Sequence, residues 1–229
     1  MSREAMYMTL EEYLPFWKQL TSAQQNLLGQ AASMRTAKAG EPIHRGSEDC
    51  VGLLIVVKGR LRAYTVSDEG RELTLYRLLE RDLCLFSASC MFQSIQFDVM
   101  VEAEVETQMI HIPASIYRQV MQQSAAAANY TNELLASHFS DVMWLMDQVL
   151  FKRMDSRLAA FLLEESGLEQ SENLKITHET IARHLGSARE VVTRMLKYFQ
   201  EEGLVTLSRG TVSIRDEKGL RDVARESLR

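Results

Sequence analysis

The chain is poor in the residues that interrupt or staple a fold. It has three cysteines, three prolines and two tryptophans in 229 residues. Three thiols, Cys50, Cys84 and Cys90, are too few and too odd in number for a secreted disulfide framework. No apolar run approaches the roughly 18 residues that span a bilayer, so no membrane partner is expected. Met1-Ser2-Arg3-Glu4 opens a mixed polar stretch and not a signal peptide, and a reducing cytoplasm fits these absences. Residues 114–153 contain no glycine and no proline, which excludes an ordinary loop-rich segment there. Histidines are few and unclustered, so no metal site and no catalytic group is assigned.

What is present is ample apolar material, 46% of residues, and an overall charge of −5. That is enough for one or two packed domains. Residues 9–35 read as a helical lead-in with Leu14, Trp17, Leu20, Leu27 and Leu28 as contacts. From about 36 to 112 the glycines punctuate short β-rich runs: Leu53–Val57, Arg60–Val66, Leu73–Leu78, Val99–Val105 and Met109–Ile112. With hairpin-turn chemistry at Ser67-Asp68-Glu69-Gly70, this spacing predicts a small barrel or roll.

The segment after Pro113 is a long helix in prospect. Ala125, Ala128, Asn132, Leu135, Phe139, Val142, Met146 and Val149 follow a 3-4 spacing that a second helix could share. Such a stripe also packs within its own domain. However, Leu134, His138, Leu145 and Leu150 form a second face suited to the roll, which leaves Leu135, Phe139, Val142, Met146 and Val149 for a dimer interface. Charge and small residues at Phe151–Asp155 mark a hinge.

Residues 176–205 carry the densest information. Thr177 caps a first short helix with Ile181 and Leu185 on its inner face, and Gly186 supplies a left-handed end. Ser187 is expected to cap a second helix, with Glu190 three residues on as a capping-box partner. Val191, Val192, Met195, Leu196 and Phe199 form its inward stripe, while Arg189, Arg194 and Lys197 lie on other faces. Leu204–Leu207, a turn at Ser208-Arg209-Gly210 and Thr211–Ile214 alternate as a hairpin. Residues 175–215 hold seven Lys or Arg and four Glu, net +3 on an acidic chain, the electrostatic footprint of a face for nucleic acid. A helix-turn-helix places the start of its second helix in the major groove, where Arg189 and Glu190 sit. Arg pairs bidentately with guanine, and Glu accepts from cytosine N4.

The run Gly186-Ser187-Ala188-Arg189-Glu190-Val191-Val192-Thr193-Arg194 resembles the recognition helix of the Crp–Fnr superfamily of bacterial transcription regulators, and the resemblance extends over nearly the whole chain. It implies an α+β architecture: an N-terminal β-roll of cupin-like jelly-roll type with flanking helices, a long central dimerisation helix and a C-terminal winged helix-turn-helix. The corresponding divisions are 1–124 for effector sensing, 125–153 for the central helix and hinge, and 154–229 for DNA binding. The resemblance assigns base contacts to Arg189, Glu190 and Arg194, and Ser187, Thr177, Lys197 and Arg209 join them as DNA-binding candidates. Implied partners are a palindromic duplex operator, a second copy of the chain and, for an activator, RNA polymerase.

The effector differs from the family's best-known one. Cyclic-AMP-binding members use a glycine-glutamate turn and an Arg-Ser pair. Here the matching stretch, Asp82 to Asp98, contains no Arg, Lys, Glu or Gly. A cyclic phosphate needs a cation or an array of backbone donors, so cyclic AMP is not expected. Phe86, Ser87, Ser89, Phe97, Arg62, Val142, Met143 and Met146 are the effector-pocket candidates for a neutral or hydrophobic small molecule of unknown identity. Two alternatives stay open: a redox-sensing regulator using Cys84 and Cys90, and a metal-dependent enzyme on a cupin-like roll using His44 and His111.

Overall fold

The computed structural model describes residues 3–46, 51–85 and 98–228. It divides into two compact units, residues 1–65 with 75–141, and residues 66–74 with 142–229. In the first unit the lead-in is not one helix. Helix α1 (Arg3–Tyr13), a 3-10 turn (Trp17–Gln19) and α2 (Ser22–Ala31) replace it, and the chain is extended by Ser33. Pro15 falls at the first break, because its ring removes an amide donor and clashes with a preceding turn. Thr21 then restarts the helix through a reciprocal capping box: its hydroxyl accepts from the Gln24 amide, and Gln24 Oε1 accepts from the Thr21 amide at 2.9 Å.

Eight strands follow among the described residues: β1 (Ser33–Ala37), β2 (Pro42–Arg45), β3 (Leu53–Lys58), β4 (Leu61–Val66), β5 (Glu72–Leu78), β6 (Leu83–Cys84), β7 (Met100–Ala103) and β8 (Thr107–Ile112). They form two four-stranded sheets, ordered β1-β8-β3-β6 and β2-β7-β4-β5. Leu54, Val56, Cys84 and Met109 pack with Leu61, Ala63, Val101 and Ala103 in the roll's core. Leu53, Ile55, Ile110 and Ile112 belong instead to a second core with Leu10, Leu14, Trp17 and Leu28. Strand β3 is therefore covered on both faces, which is why it reads as a continuous apolar run and not as an alternation. The other sheet turns its second face to a set of largely buried charges. Arg62 donates to Glu102 at 2.9 Å, Arg77 to Glu104 at 3.1 Å, and Arg60 also pairs with Glu104.

After Pro113 come α3 (Ala114–Gln123) and α4 (Ala125–Phe151). Ser124 separates them, its backbone extended and its hydroxyl accepting from the Ala127 amide at 3.3 Å. Buried Tyr117 bonds to Thr131 at 2.9 Å, and burial pushes its phenol up to about 12. Along α4, Leu134 and Leu135 pack against the core that holds α1 and α2. His138 is buried and stacks on Tyr76, with ring centroids 4.4 Å apart. Leu150, expected on that same inner face, is 63% exposed, because the helix has by then left the first unit.

The second unit is built from α5 (Met154–Glu169), β9 (Asn173–Leu174), α6 (His178–Leu185), α7 (Arg189–Glu201), β10 (Val205–Ser208), β11 (Thr211–Ile214) and α8 (Glu217–Ala224). The α4–α5 break falls within the expected hinge. Leu158, Leu162, Ile181, Val192, Leu196, Phe199 and Leu220 meet in one core and are fully buried. The expected hairpin is β10–β11, and β9 adds a third strand to it through Val212 and Ser213.

Candidate nucleic-acid interface

Helices α6 and α7 owe their angle to the three residues between them. Thr177 caps α6, its hydroxyl accepting from the Thr180 amide at 3.0 Å. At the far end Gly186 adopts φ 64° and ψ 32°, a left-handed conformation that costs a residue with a side chain about 1–2 kcal/mol. The amides of Gly186 and Ser187 both donate to the Ala182 carbonyl, satisfying the helix end.

The start of α7 departs from expectation. Ala188, not Ser187, is the N-cap, and no side chain caps this helix. Ser187 is one residue too early, its amide already committed to α6. Glu190 is consequently free of any capping-box role and sits exposed in the first turn. The left-handed glycine consumes one more residue than the motif spacing suggested, and the Ala188 carbonyl accepts the first helical bonds from Val191 and Val192.

The two helices are fastened by apolar contacts and one polar tie. Val192, Leu196 and Phe199 are fully buried, leaving the other faces of α7 to solvent. Across the gap His178 Nδ1 lies 2.9 Å from the Thr193 hydroxyl. Burial lowers the His178 pKa, and the nearby positive charge of Arg189 lowers it further.

The structure brings Arg189, Glu190, Arg194 and Lys197 onto the exposed surface of one helix. Among the described residues none of these, nor Arg209, makes an ion pair or side-chain hydrogen bond. Other cations of this unit are engaged: Arg157 donates to the Leu185 carbonyl at 2.7 Å, Arg183 pairs with Glu72 at 2.9 Å, and Arg215 donates to Thr206 at 3.0 Å. Arg209 projects from the exposed β10–β11 turn beside Gly210. A helix with one face locked in a core and a row of unpaired charges on another can present donors to base edges and phosphates at no internal cost.

Of the effector-pocket candidates, Phe86, Ser87, Ser89 and Phe97 lie outside the described residues, as does Cys90. Arg62 is fully buried, paired with Glu102 and set 4.3 Å over the Tyr64 ring. Val142 is half-buried, while Met143 and Met146 are exposed on α4. Of the dimer candidates Phe139 is 68% exposed, Met146 47% and Val149 43%, and Leu135 is half-buried. Cys84 is fully buried in the roll. His44 lies on β2 and His111 on β8, in different sheets. No cluster of three metal-binding side chains occurs among the described residues. The contacts of the β4–β5 turn with α6 were not foreseen.

Residues 34–124 match the cyclic nucleotide-binding domain family and residues 156–223 the Crp-like helix-turn-helix domain family. A solved structure from Eubacterium rectale, described as a transcriptional regulator of the Crp/Fnr family, is 56% identical. It superposes with a TM-score of 0.92, over 93% of this chain and 99% of the other. Two proteins of Thermus thermophilus are also similar. The transcriptional regulator SdrP is 28% identical over 177 residues, 74% of this chain and 82% of that protein. A cyclic AMP receptor protein is 25% identical over 185 residues, 81% of this chain and 85% of its own length.

Proposed function

Because the chain belongs to the Crp/Fnr family of DNA-binding transcription regulators, we propose that it acts as a homodimer reading a palindromic operator through α7. The carrying observation is the set of exposed side chains Arg189, Glu190, Arg194 and Lys197, unpaired among the described residues, on a helix whose other face is fully buried. Arg189 and Arg194 take guanines, Glu190 takes a cytosine amine, and Lys197, Arg209, Thr177 and Ser187 serve the phosphates. The exposed apolar side chains Phe139, Met146 and Val149 of α4, with Val142, form the seam for the second copy. A twofold axis then sets half-sites about 34 Å apart.

The effector is a small molecule other than cyclic AMP. The stretch from Asp82 to Asp98 supplies no cation, and its last residue is a carboxylate. Arg62 already has the Glu102 carboxylate at 2.9 Å, so a ligand phosphate would have to displace it. Breaking an ion pair whose guanidinium is fully buried is costly, which favours a neutral or apolar ligand held near Phe86, Ser87, Ser89 and Phe97.

Binding-site selection from random duplexes, followed by titration across salt concentrations, tests the reading. A palindromic consensus and an affinity that falls steeply with salt are expected. Selection that returns no preferred sequence would remove α7 as a reader. Calorimetry with cyclic AMP and cyclic GMP should give no heat of binding, and micromolar binding of either would overturn the effector assignment.

A further inference from the structure

Hairpin β4–β5 ends in a tip, residues 66–74, that belongs with the helix-turn-helix unit. The tip is a well-made turn: Ser67 N donates to Arg71 O at 2.8 Å, and Gly70 N to Ser67 O at 2.8 Å. Its returning strand is seated on the end of α6. Leu73 forms an antiparallel bridge with Leu185. On one side of that bridge Arg183 donates to the Glu72 carboxylate at 2.9 Å, and on the other the Thr74 hydroxyl lies 2.9 Å from His184 Nδ1. Leu73 also reaches the turn itself, since a Cβ on Gly186 would come within 3.0 Å of Leu73 Cδ1. Three consecutive residues of the tip thus hold three consecutive residues of α6, with the fourth, Gly186, beneath the same leucine.

Charge gives the contact a direction. The tip carries Asp68, Glu69 and Glu72 against Arg71, net −2, and it sits on a segment, 175–215, whose excess is +3. Attraction to duplex DNA scales with the cations that displace condensed counterions. A seated tip removes Arg183 from that set and sets the Glu72 carboxylate against the last turn of α6. Leu73 meanwhile bears on Gly186, the residue whose left-handed conformation orients α7.

We propose that the β4–β5 tip is an autoinhibitory latch on the helix-turn-helix: seated, it masks Arg183 and holds the α6–α7 turn, and released, it frees both for DNA. Strands β4 and β5 run back into the roll, so a change there has a direct covalent route to the latch. The inference rests on the DNA-binding reading above.

The test uses the full-length chain and two labelled duplexes, the selected operator and a random sequence, with the single variants kept under reducing conditions. E72Q and L73S should each bind both duplexes about fivefold more tightly, and E72Q should steepen the salt slope by about one unit. The converse variant, L73C/L185C, places two thiols at bridge partners, a spacing that a disulfide spans. Oxidation should weaken its operator binding about tenfold relative to the original chain in the same buffer, and dithiothreitol should restore it. Unchanged or weaker binding by folded E72Q and L73S, or a cross-linked form that binds as well as the reduced one, overturns the latch. Loss of DNA binding by the original chain in every condition would instead sink the DNA-binding reading.

Discussion

His178 opens α6 and Thr193 lies in the middle of α7, and the hydrogen bond between them, 2.9 Å long, is a polar strut across the helix-turn-helix. The imidazole is partly buried and faces the positive charge of Arg189, so its proton affinity is lower in the folded chain than in the unfolded one.

That difference has a sign. A histidine whose folded pKa is depressed contributes stability above its unfolded value, about 6.5, and loses it as pH falls from there through the folded value. Protection factors of the α7 amides, exchange rates corrected for the intrinsic pH dependence, should therefore fall on acidification from pH 7. The effect should be blunted in H178Q, which keeps a polar partner for Thr193 without a titrating ring. Equal acid sensitivity in both proteins would clear His178 of this role.

Base reading and phosphate contact separate in mutagenesis. R189A should cost about 1–3 kcal/mol on the operator and relax the choice of one base pair per half-site. K197A should weaken all sequences alike and flatten the salt slope by about one unit. Repeating the selection with each variant distinguishes them. An R189A consensus identical to that of the unaltered chain would displace Arg189 from the groove.

The apolar face of α4 sets the next expectation. In a twofold seam Val142 lies close to its own copy, so V142E brings two carboxylates together in a desolvated place, and monomers should result. Sedimentation velocity of V142E reads this directly. A dimer that survives the change must be built on another surface.

Gly186 and Gly210 both have positive φ, 64° and 71°, yet they should not tolerate alanine equally. At Gly210 the new methyl meets open space, so only the backbone cost of about 1–2 kcal/mol applies. At Gly186 it meets Leu73 at 3.0 Å as well. G186A should thus destabilise the helix-turn-helix more than G210A in urea unfolding, and adding L73A should recover part of the difference. Equal losses would mean that Leu73 yields without cost.

The parts of this protein legible in the chain are those with local causes. Thr177 and its partner amide are three residues apart, Gly186 closes its own helix, and the β10–β11 alternation is a two-residue period. Even there the second cap was misplaced by one position, since Ser187 and Ala188 differ only in which amide the left-handed turn has already used. Strands β1, β2, β6 and β9 were not read, because short pairings draw their stability from partners far along the chain and not from their own pattern.

By itself the sequence determined the order of roll, long helix and winged helix-turn-helix, the exposed charges on α7 and the missing cation in the Asp82–Asp98 stretch. These follow from periodicity, capping chemistry and the count of ionisable groups. Only the tertiary structure decided what Glu72, Leu73 and Thr74 do, since their partners Arg183, Leu185 and His184 lie more than a hundred residues away. It likewise decided that Arg62 is spent on Glu102, and that Arg183 is paired while, among the described residues, Arg189 and Arg194 are not. Charge type is written in a residue, but whether that charge is neutralised depends on which distant segment the fold delivers to it.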